Sequence, residues 1–183
     1  MHKFSPAKAE RLESPERSRL LPPLETLRRF GLRRGMTFVD VGAGTGFFTR
    51  AAAEIVGPGG TAVAVDSSAE MLALLGAKNR THRIRTVLSS DYEIPLQSGS
   101  ADLVMAAFVL HETEDRPRFV AELRRLLKPD GRILILEWKK QDEEHGPPRT
   151  ERLSREDLAA DLANLQMLEE GDLNASHYAV VVR

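Results

Sequence analysis

The chain predicts an α/β fold: a doubly wound, mainly parallel seven-stranded sheet with helices on both faces, a C-terminal antiparallel strand pair and a short helical N-terminal arm. Three observations predict it. From Thr37 onward, short runs rich in Val, Ile and Leu alternate with segments of helical periodicity, the rhythm of strands buried on both faces by helices. Glycine, proline and serine mark the changes of period. The last two apolar runs are joined by a turn too short for a crossover helix, which makes them antiparallel.

The elements follow in order. Residues 1–34 read as a helical arm distinct from the domain of residues 35–183. In the arm Ser14-Pro15 and Pro22-Pro23 start helices and Gly31 stops one. Such an arm can cover a ligand site or make an oligomer contact, a homodimer being the simplest. TFVDVG, TAVAVD, IRTVL, DLVMAAFVL and RILILEW are the parallel strands. Between the first two, Phe47, Phe48, Ala51, Ala52 and Ile55 recur at helical spacing until Gly57-Pro58-Gly59-Gly60. Ser67 with Glu70 forms a capping box before a helix through Leu75. A helix starting near Pro117 carries the stripe Phe119, Val120, Leu123, Leu126 and Leu127, and the turn Lys128-Pro129-Asp130-Gly131 ends it. After a polar loop from Lys139 to Arg152, Ser154 with Asp157 caps a helix through about Leu165. LQMLEEGDLN and SHYAVVVR close the chain as the antiparallel pair.

Composition narrows the function. With 183 residues, 42% hydrophobic and 29% charged, the chain has the makings of a water-soluble globular domain. A net charge of −1 supplies no global field to recruit nucleic acid or an anionic membrane. The N-terminal MHKFSPAKAERLESPERS lacks the apolar centre of a signal peptide, and the run Leu103 to Leu110 is too short to span a bilayer. A cytoplasmic protein is expected. The absence of cysteine excludes disulfides, thiolate zinc sites, cysteine nucleophiles and cysteine-held iron–sulfur clusters. Histidines at 2, 82, 111, 145 and 177 show no close ligand spacing, so no metal site is expected.

Chemistry concentrates at VDVGAGTGFFT, Val39 to Thr49. A strand ending in an acid runs into Gly42, Gly44 and Gly46 and then into a helix. Glycines let the backbone turn tightly and approach a ligand closely, and the helix offers unpaired N–H groups. A ligand with an adenosine half suits such a turn. The dinucleotide fingerprint is G-x-G-x-x-G with an acid about 20 residues on. Here the glycine spacing is one residue tighter, Asp40 precedes the first glycine by two positions, and Asp66 ends the next strand. A carboxylate there accepts both ribose hydroxyls, a role common to NAD and S-adenosylmethionine sites. Asp40, the short glycine spacing and the closing antiparallel pair separate the two.

VDVGAGTG, AVAVDSSAEML, DYEIPL, SADLVMAAFVLHE and LKPDGRILILEW, in that order, resemble the motifs of class I S-adenosylmethionine-dependent methyltransferases of the type 11 and ubiquinone/menaquinone-biosynthesis kind. The resemblance covers about Met36 to the strand after Gly131. It implies that Asp40 orders the glycine loop and lies near the methionine amino group, while Gly42, Ala43, Gly44 and Gly46 let the backbone pass the methionine and ribose. It implies that Asp66, beside Ser67, binds the ribose hydroxyls, that Met71 packs on the adenine, and that the Ala106 carbonyl faces the methionine ammonium. At the adenine end the family often has an acid five positions before the proline of its L-P segment. Here Ser90 holds that place and Asp91 follows, so Ser90, Asp91 and Tyr92 are the candidates.

His111 and Glu112 follow the fourth strand, where the family faces the transferred methyl. A histidine there can take a proton near neutral pH; equally, it can be a loop residue hydrogen-bonded to the backbone. Glu137-Trp138 reads as acceptor-pocket lining or as core. His2 and Phe4 read as a folded-back flap or a frayed end, and Lys139 to Glu144 as a solvated loop. The expected function is methyl transfer from S-adenosylmethionine to a small-molecule acceptor, leaving S-adenosylhomocysteine, with no nucleic-acid or membrane partner. A non-catalytic cofactor-binding module and an NAD-dependent oxidoreductase are the alternatives. Lack of cysteine argues against arsenite methylation, and VLHE stands where many amino-group methylators carry an N-P-P-Y-type tetrapeptide.

Overall fold

The computed structural model describes residues 13–79, 83–90 and 92–183. Asp91, His2, Phe4 and His82 lie outside them. Strands β1 (Thr37–Val41), β2 (Thr61–Asp66), β3 (Ile84–Leu88), β4 (Ala101–Ala107), β5 (Leu127–Trp138), β6 (Met167–Asp172) and β7 (His177–Val182) form one sheet in the order β3-β2-β1-β4-β5-β7-β6. β1 to β5 pair in parallel, and β7 lies antiparallel between β5 and β6. The predicted doubly wound sheet and its antiparallel closing pair are present.

Strand alternation sorts the core into two layers. Phe38, Ala62, Ala64, Leu103, Met105, Leu134 and Leu136 face one side. Helices α1 (Pro15–Leu20), α2 (Pro23–Arg29), α3 (Phe47–Val56) and α4 (Ala69–Lys78) belong to this side, through Leu21, Leu27, Phe48, Ala52 and Leu75. Val39, Val63, Val104, Ile133 and Ile135 face the other. There α5 (Arg116–Leu126) and α6 (Arg155–Asp161) bring Phe119, Leu123 and Leu158.

Helix boundaries follow their caps. Ser14 caps α1, and α6 has the predicted capping box of Ser154 with Asp157. The cap of α4 is Ser68, whose hydroxyl accepts from the Met71 N–H at 3.2 Å. The capping box of Ser67 with Glu70 is therefore corrected by one residue, and α4 runs on past Leu75. α6 stops at Asp161, short of Leu165. The Lys128 to Gly131 turn is also revised. Leu127 already pairs with Ala101 and Arg132 pairs with Leu103, so these residues bulge within β5 opposite Asp102 instead of preceding it.

Candidate cofactor and acceptor site

The parallel strands end together along one edge of the sheet, and the chain's unusual groups collect there. β1 passes into a loop whose Gly42, Gly44 and Gly46 all have positive φ. Gly42 and Ala43 donate to the Val65 carbonyl at 2.9 and 3.0 Å, which fastens the loop to β2. Gly46 is the left-handed N-cap of α3, and no side chain caps that helix. The two outer glycines also answer to protein packing. An added Cβ would meet Val109 Cγ2 at 2.4 Å from Gly42 and Leu75 Cδ1 at 2.2 Å from Gly46.

Asp66, at the end of β2, accepts the Gly44 N–H through Oδ2 at 2.7 Å and the Ser68 N–H through Oδ1 at 2.8 Å. Asp66 thus ties the glycine loop to the start of α4. Asp40 is 2% exposed and accepts from the Thr49 hydroxyl at 2.5 Å. Loss of hydration pushes its carboxyl up to about 6, with the charge of Asp66 adding to the effect and Thr49 and Arg17 opposing it.

The other expected contacts spread along the edge. Met71 is buried under α4, while Ser67 is exposed. Ala106 is fully buried in β4, in register with Val41 and Ile135. Ser89 donates to the Asp66 carbonyl at 3.0 Å, which sets the segment after β3 beside β2. Ser90 is exposed. The Tyr92 hydroxyl is drawn to the start of α5, accepting the Asp115 N–H at 3.0 Å, and its ring lies under the Arg118 guanidinium.

Past β4, His111 sits in a short 3-10 turn, Leu110–Glu112. Its ring is bound to a side chain and not to the backbone: Nδ1 lies 2.8 Å from Oε2 of Glu137. Its N–H donates to the other carboxylate oxygen at 3.2 Å. The Glu137 side chain, near the end of β5, is 0% exposed. Burial disfavours the imidazolium, yet the Glu137 hydrogen bond and charge, with Glu112 and Glu151, outweigh it and raise the His111 pKa. Nε2 is 3.9 Å from Glu112 Oε1.

Sequence reasoning missed several groups at this edge, and of the aromatic ones it singled out Trp138 alone, as pocket lining or core. Arg17, on α1, lies 4.5 Å from the centre of the Phe47 ring and 5.7 Å from that of Phe108. Burial brings its guanidinium down to about 10 against the nearby charges of Asp40 and Glu13. Glu13 pairs with Arg50 of α3 at 3.0 Å and with Lys78 of α4 at 2.9 Å. The arm is therefore latched across the helices that flank the glycine loop. Phe108, Trp138 and His177 form an aromatic cluster with ring-centre separations of 4.2 to 5.7 Å. The signal for Trp138 with His177 is the antiparallel pairing of β5 with β7, which sets them side by side. Arg17 and Thr49 had no such local signal.

An open α/β sheet with a glycine turn after β1 and an acid ending β2 defines a Rossmann-like nucleoside-cofactor protein. The chain belongs to the type 11 methyltransferase-domain family, whose model matches residues 39–135. It is 33% identical over 119 residues to a ubiquinone/menaquinone biosynthesis C-methyltransferase of Hahella chejuensis, covering 63% of this chain and 48% of that protein. It is 32% identical to a demethylmenaquinone methyltransferase of Lactococcus lactis, covering 62% of this chain and 46% of that one. The chain thus spans about half the length of these curated relatives. The crystal structure of a SAM-dependent methyltransferase from Aquifex aeolicus superposes with a TM-score of 0.93 at 30% identity, covering 98% of each chain. Among the described residues no helix is long and apolar enough to cross a membrane, and no group of three or more histidines and acids is placed to hold a metal ion.

Proposed function

We propose that this chain transfers a methyl group from S-adenosylmethionine to a small-molecule acceptor, leaving S-adenosylhomocysteine. The observation that carries the reading is the pair of acids bracketing the glycine loop, Asp40 buried behind it and Asp66 hydrogen-bonded to it. The donor set fits that cofactor. Each Asp66 oxygen spends one lone pair on a backbone N–H and keeps another for a ribose hydroxyl. Asp40 supplies negative charge for an ammonium, and α3 starts with no side-chain cap.

Bound there, the cofactor supplies an electrophilic methyl on a positively charged sulfur. The chain's part is to align an acceptor with it and exclude water. In this reading Gly42, Ala43, Gly44 and Gly46 line the methionine and ribose, the Ala106 carbonyl faces the ammonium, and Met71, Ser67, Ser90, Asp91 and Tyr92 serve the adenosine end. His111 is the proton acceptor: Glu137 fixes its Nδ1, which leaves Nε2 to take a proton from an acceptor hydroxyl or amine. The arm of residues 1–34, of which the described part begins at Glu13, covers the site of the 35–183 domain or offers a homodimer contact. A cytoplasmic location and an acceptor that is neither nucleic acid nor lipid surface accord with the net charge of −1.

Titration calorimetry with S-adenosylmethionine, S-adenosylhomocysteine and NAD tests the reading. The first two are expected to bind more tightly, and preference for NAD would replace methyl transfer by hydride transfer. Sulfonium-cofactor binding with no turnover on any acceptor would favour a non-catalytic module.

A further inference from the structure

The proposed base is shut in. The His111 side chain is 5% exposed, so its Nε2 meets no acceptor until a cover moves. Two segments overhang this edge of the sheet. The arm is held by apolar burial, through Leu21, Leu27 and Phe30 in the core. The other is the strap of residues 139–151, which leads from β5 toward α6 and has no buried residue. It passes over Trp138 at Gly146, where φ is 88° and an added Cβ would come within 2.9 Å of the indole. At its far end, Glu151 is one of the acids whose charge reaches His111. The strap therefore lies across both the indole and the turn that carries the base.

One side chain holds it down. Arg152 is 1% exposed. It donates from Nε to the Pro147 carbonyl at 2.9 Å, from Nη2 to that of His145 at 2.7 Å and from Nη1 to that of Lys139 at 3.1 Å. Nη1 also meets the Glu143 carboxylate, and the guanidinium lies 5.0 Å from the centre of the Trp138 ring. A planar fork of fixed donors suits this task, because it gathers carbonyls from three points of one loop. Ties elsewhere along the strap face solvent: Gln141 donates to the Ala175 carbonyl, Lys140 pairs with Asp157, and Arg149 with Asp142. Exposed pairs of this kind contribute little. Leu153, next to Arg152, is buried in the layer of α5, which gives the arginine a fixed post. Segments with few apolar contacts and solvent-facing ties open locally, well before the fold does. Lifting the strap lets water reach the freed carbonyls and the guanidinium, so no buried charge is stranded.

We propose that residues 139–151 are a gate over the acceptor side of the site, closed in this structure and latched by Arg152. It lifts by local opening while the sheet stays folded. What the gate admits rests on the methyltransferase reading; its motion does not.

Trp138 is the chain's one tryptophan, so its fluorescence reports the strap without a label. Acrylamide, a small neutral quencher, is the probe, added to the full chain. In Arg152→Gln the indole should be quenched at least threefold faster than in the parent, with a single cooperative melt retained. Arg149→Gln, which breaks only an exposed pair, should match the parent. In the parent, the Arg152 Nε proton should exchange with water at least a hundredfold faster than the amide of Ile135, which is fully buried in β5. Low urea should leave that faster rate unchanged. Equal quenching in Arg152→Gln, or an Arg152 proton released only with the core as urea rises, would overturn the gate. So would an Arg149→Gln variant as open as Arg152→Gln, since Arg152 would then not be the latch. If Arg152→Gln does not fold, the parent's exchange rates decide. Calorimetry with S-adenosylhomocysteine keeps the two readings apart. An opening strap on a chain that binds none of it would sink methyl transfer and leave the gate; tight binding under an unmoving strap would sink the gate alone.

Discussion

Glu137 Oε2 lies 2.8 Å from Nδ1 of His111, and the same carboxylate accepts the His111 N–H. One fully buried side chain at the end of β5 thereby fixes both the ring and the backbone of the turn after β4. The proposed base role and local stability meet in this pair, and pH separates them.

The folded-state pKa of His111 is raised. Its ionic contribution is therefore fully present below the ordinary imidazole value and is lost as pH rises through the folded value. His111→Ala strands a buried carboxylate and should cost about 1–3 kcal/mol, more at pH 6 than at pH 9, by denaturant titration. As a base His111 works only unprotonated, so the parent's methyl-transfer rate should climb through the same raised pKa. Loss of the ring should lower the rate by about 10²–10⁴-fold while barely changing cofactor affinity. Joint loss of stability and cofactor affinity with an unaltered pH profile would make the residue purely structural.

Asp40 has the opposite linkage to an ordinary surface acid. Its folded pKa of about 6 lies above the unfolded value of 3.8, so stability is greatest below the unfolded value and falls as pH rises through about 6. Asp40→Asn keeps an oxygen for Thr49 and should stabilise the protein against heat at pH 7.5, by roughly 1–3 kcal/mol. It should also weaken S-adenosylmethionine, because the countercharge is gone. Parent affinity for that cation should increase between pH 5 and 7; calorimetry that finds it flat would remove Asp40 from the site.

Asp66→Ala removes the proposed ribose acceptor and the anchor of the Gly44 N–H together. Loss of a charge-assisted contact should cost about 1.5–3 kcal/mol of cofactor affinity, roughly ten- to a hundredfold. The fold should survive, because the carboxylate sits at the strand tip and outside both apolar layers. Unchanged affinity by titration would assign Asp66 to loop structure only.

The arm should act as a cover. Arg17→Ala frees the faces of Phe47 and Phe108, and stopped-flow displacement should show cofactor dissociation about tenfold faster, near 1.4 kcal/mol of lost closure. A dissociation rate equal to the parent's would mean that α1 is packing and not a cover.

The strands were legible because buried parallel strands are written in Val, Ile and Leu whatever their neighbours. Lys128-Pro129-Asp130-Gly131 misled because proline and glycine announce a turn, and a bulge inside a strand uses the same residues. Ser67 and Ser68 differ by one place, and only the N–H that each can reach distinguishes the cap. That Asp40, Asp66 and the glycines would lie together was legible because their arrangement follows from short spacing. Arg17, Thr49 and His177 were not, since each takes its role from a partner on another element. His177 needed the β5–β7 register, and Arg17 needed the docking of the arm.

Gly46 has a φ of 82°, and a Cβ there would come within 2.2 Å of Leu75. Gly46→Ala should therefore destabilise the protein by more than about 1 kcal/mol even with no ligand near, as thermal melts of the variant will report. For this position, inheritance is enforced twice over. A descendant that lost every acceptor would still be obliged to keep its glycine simply to fold. The glycine at this position thus answers to the fold before it answers to any ligand.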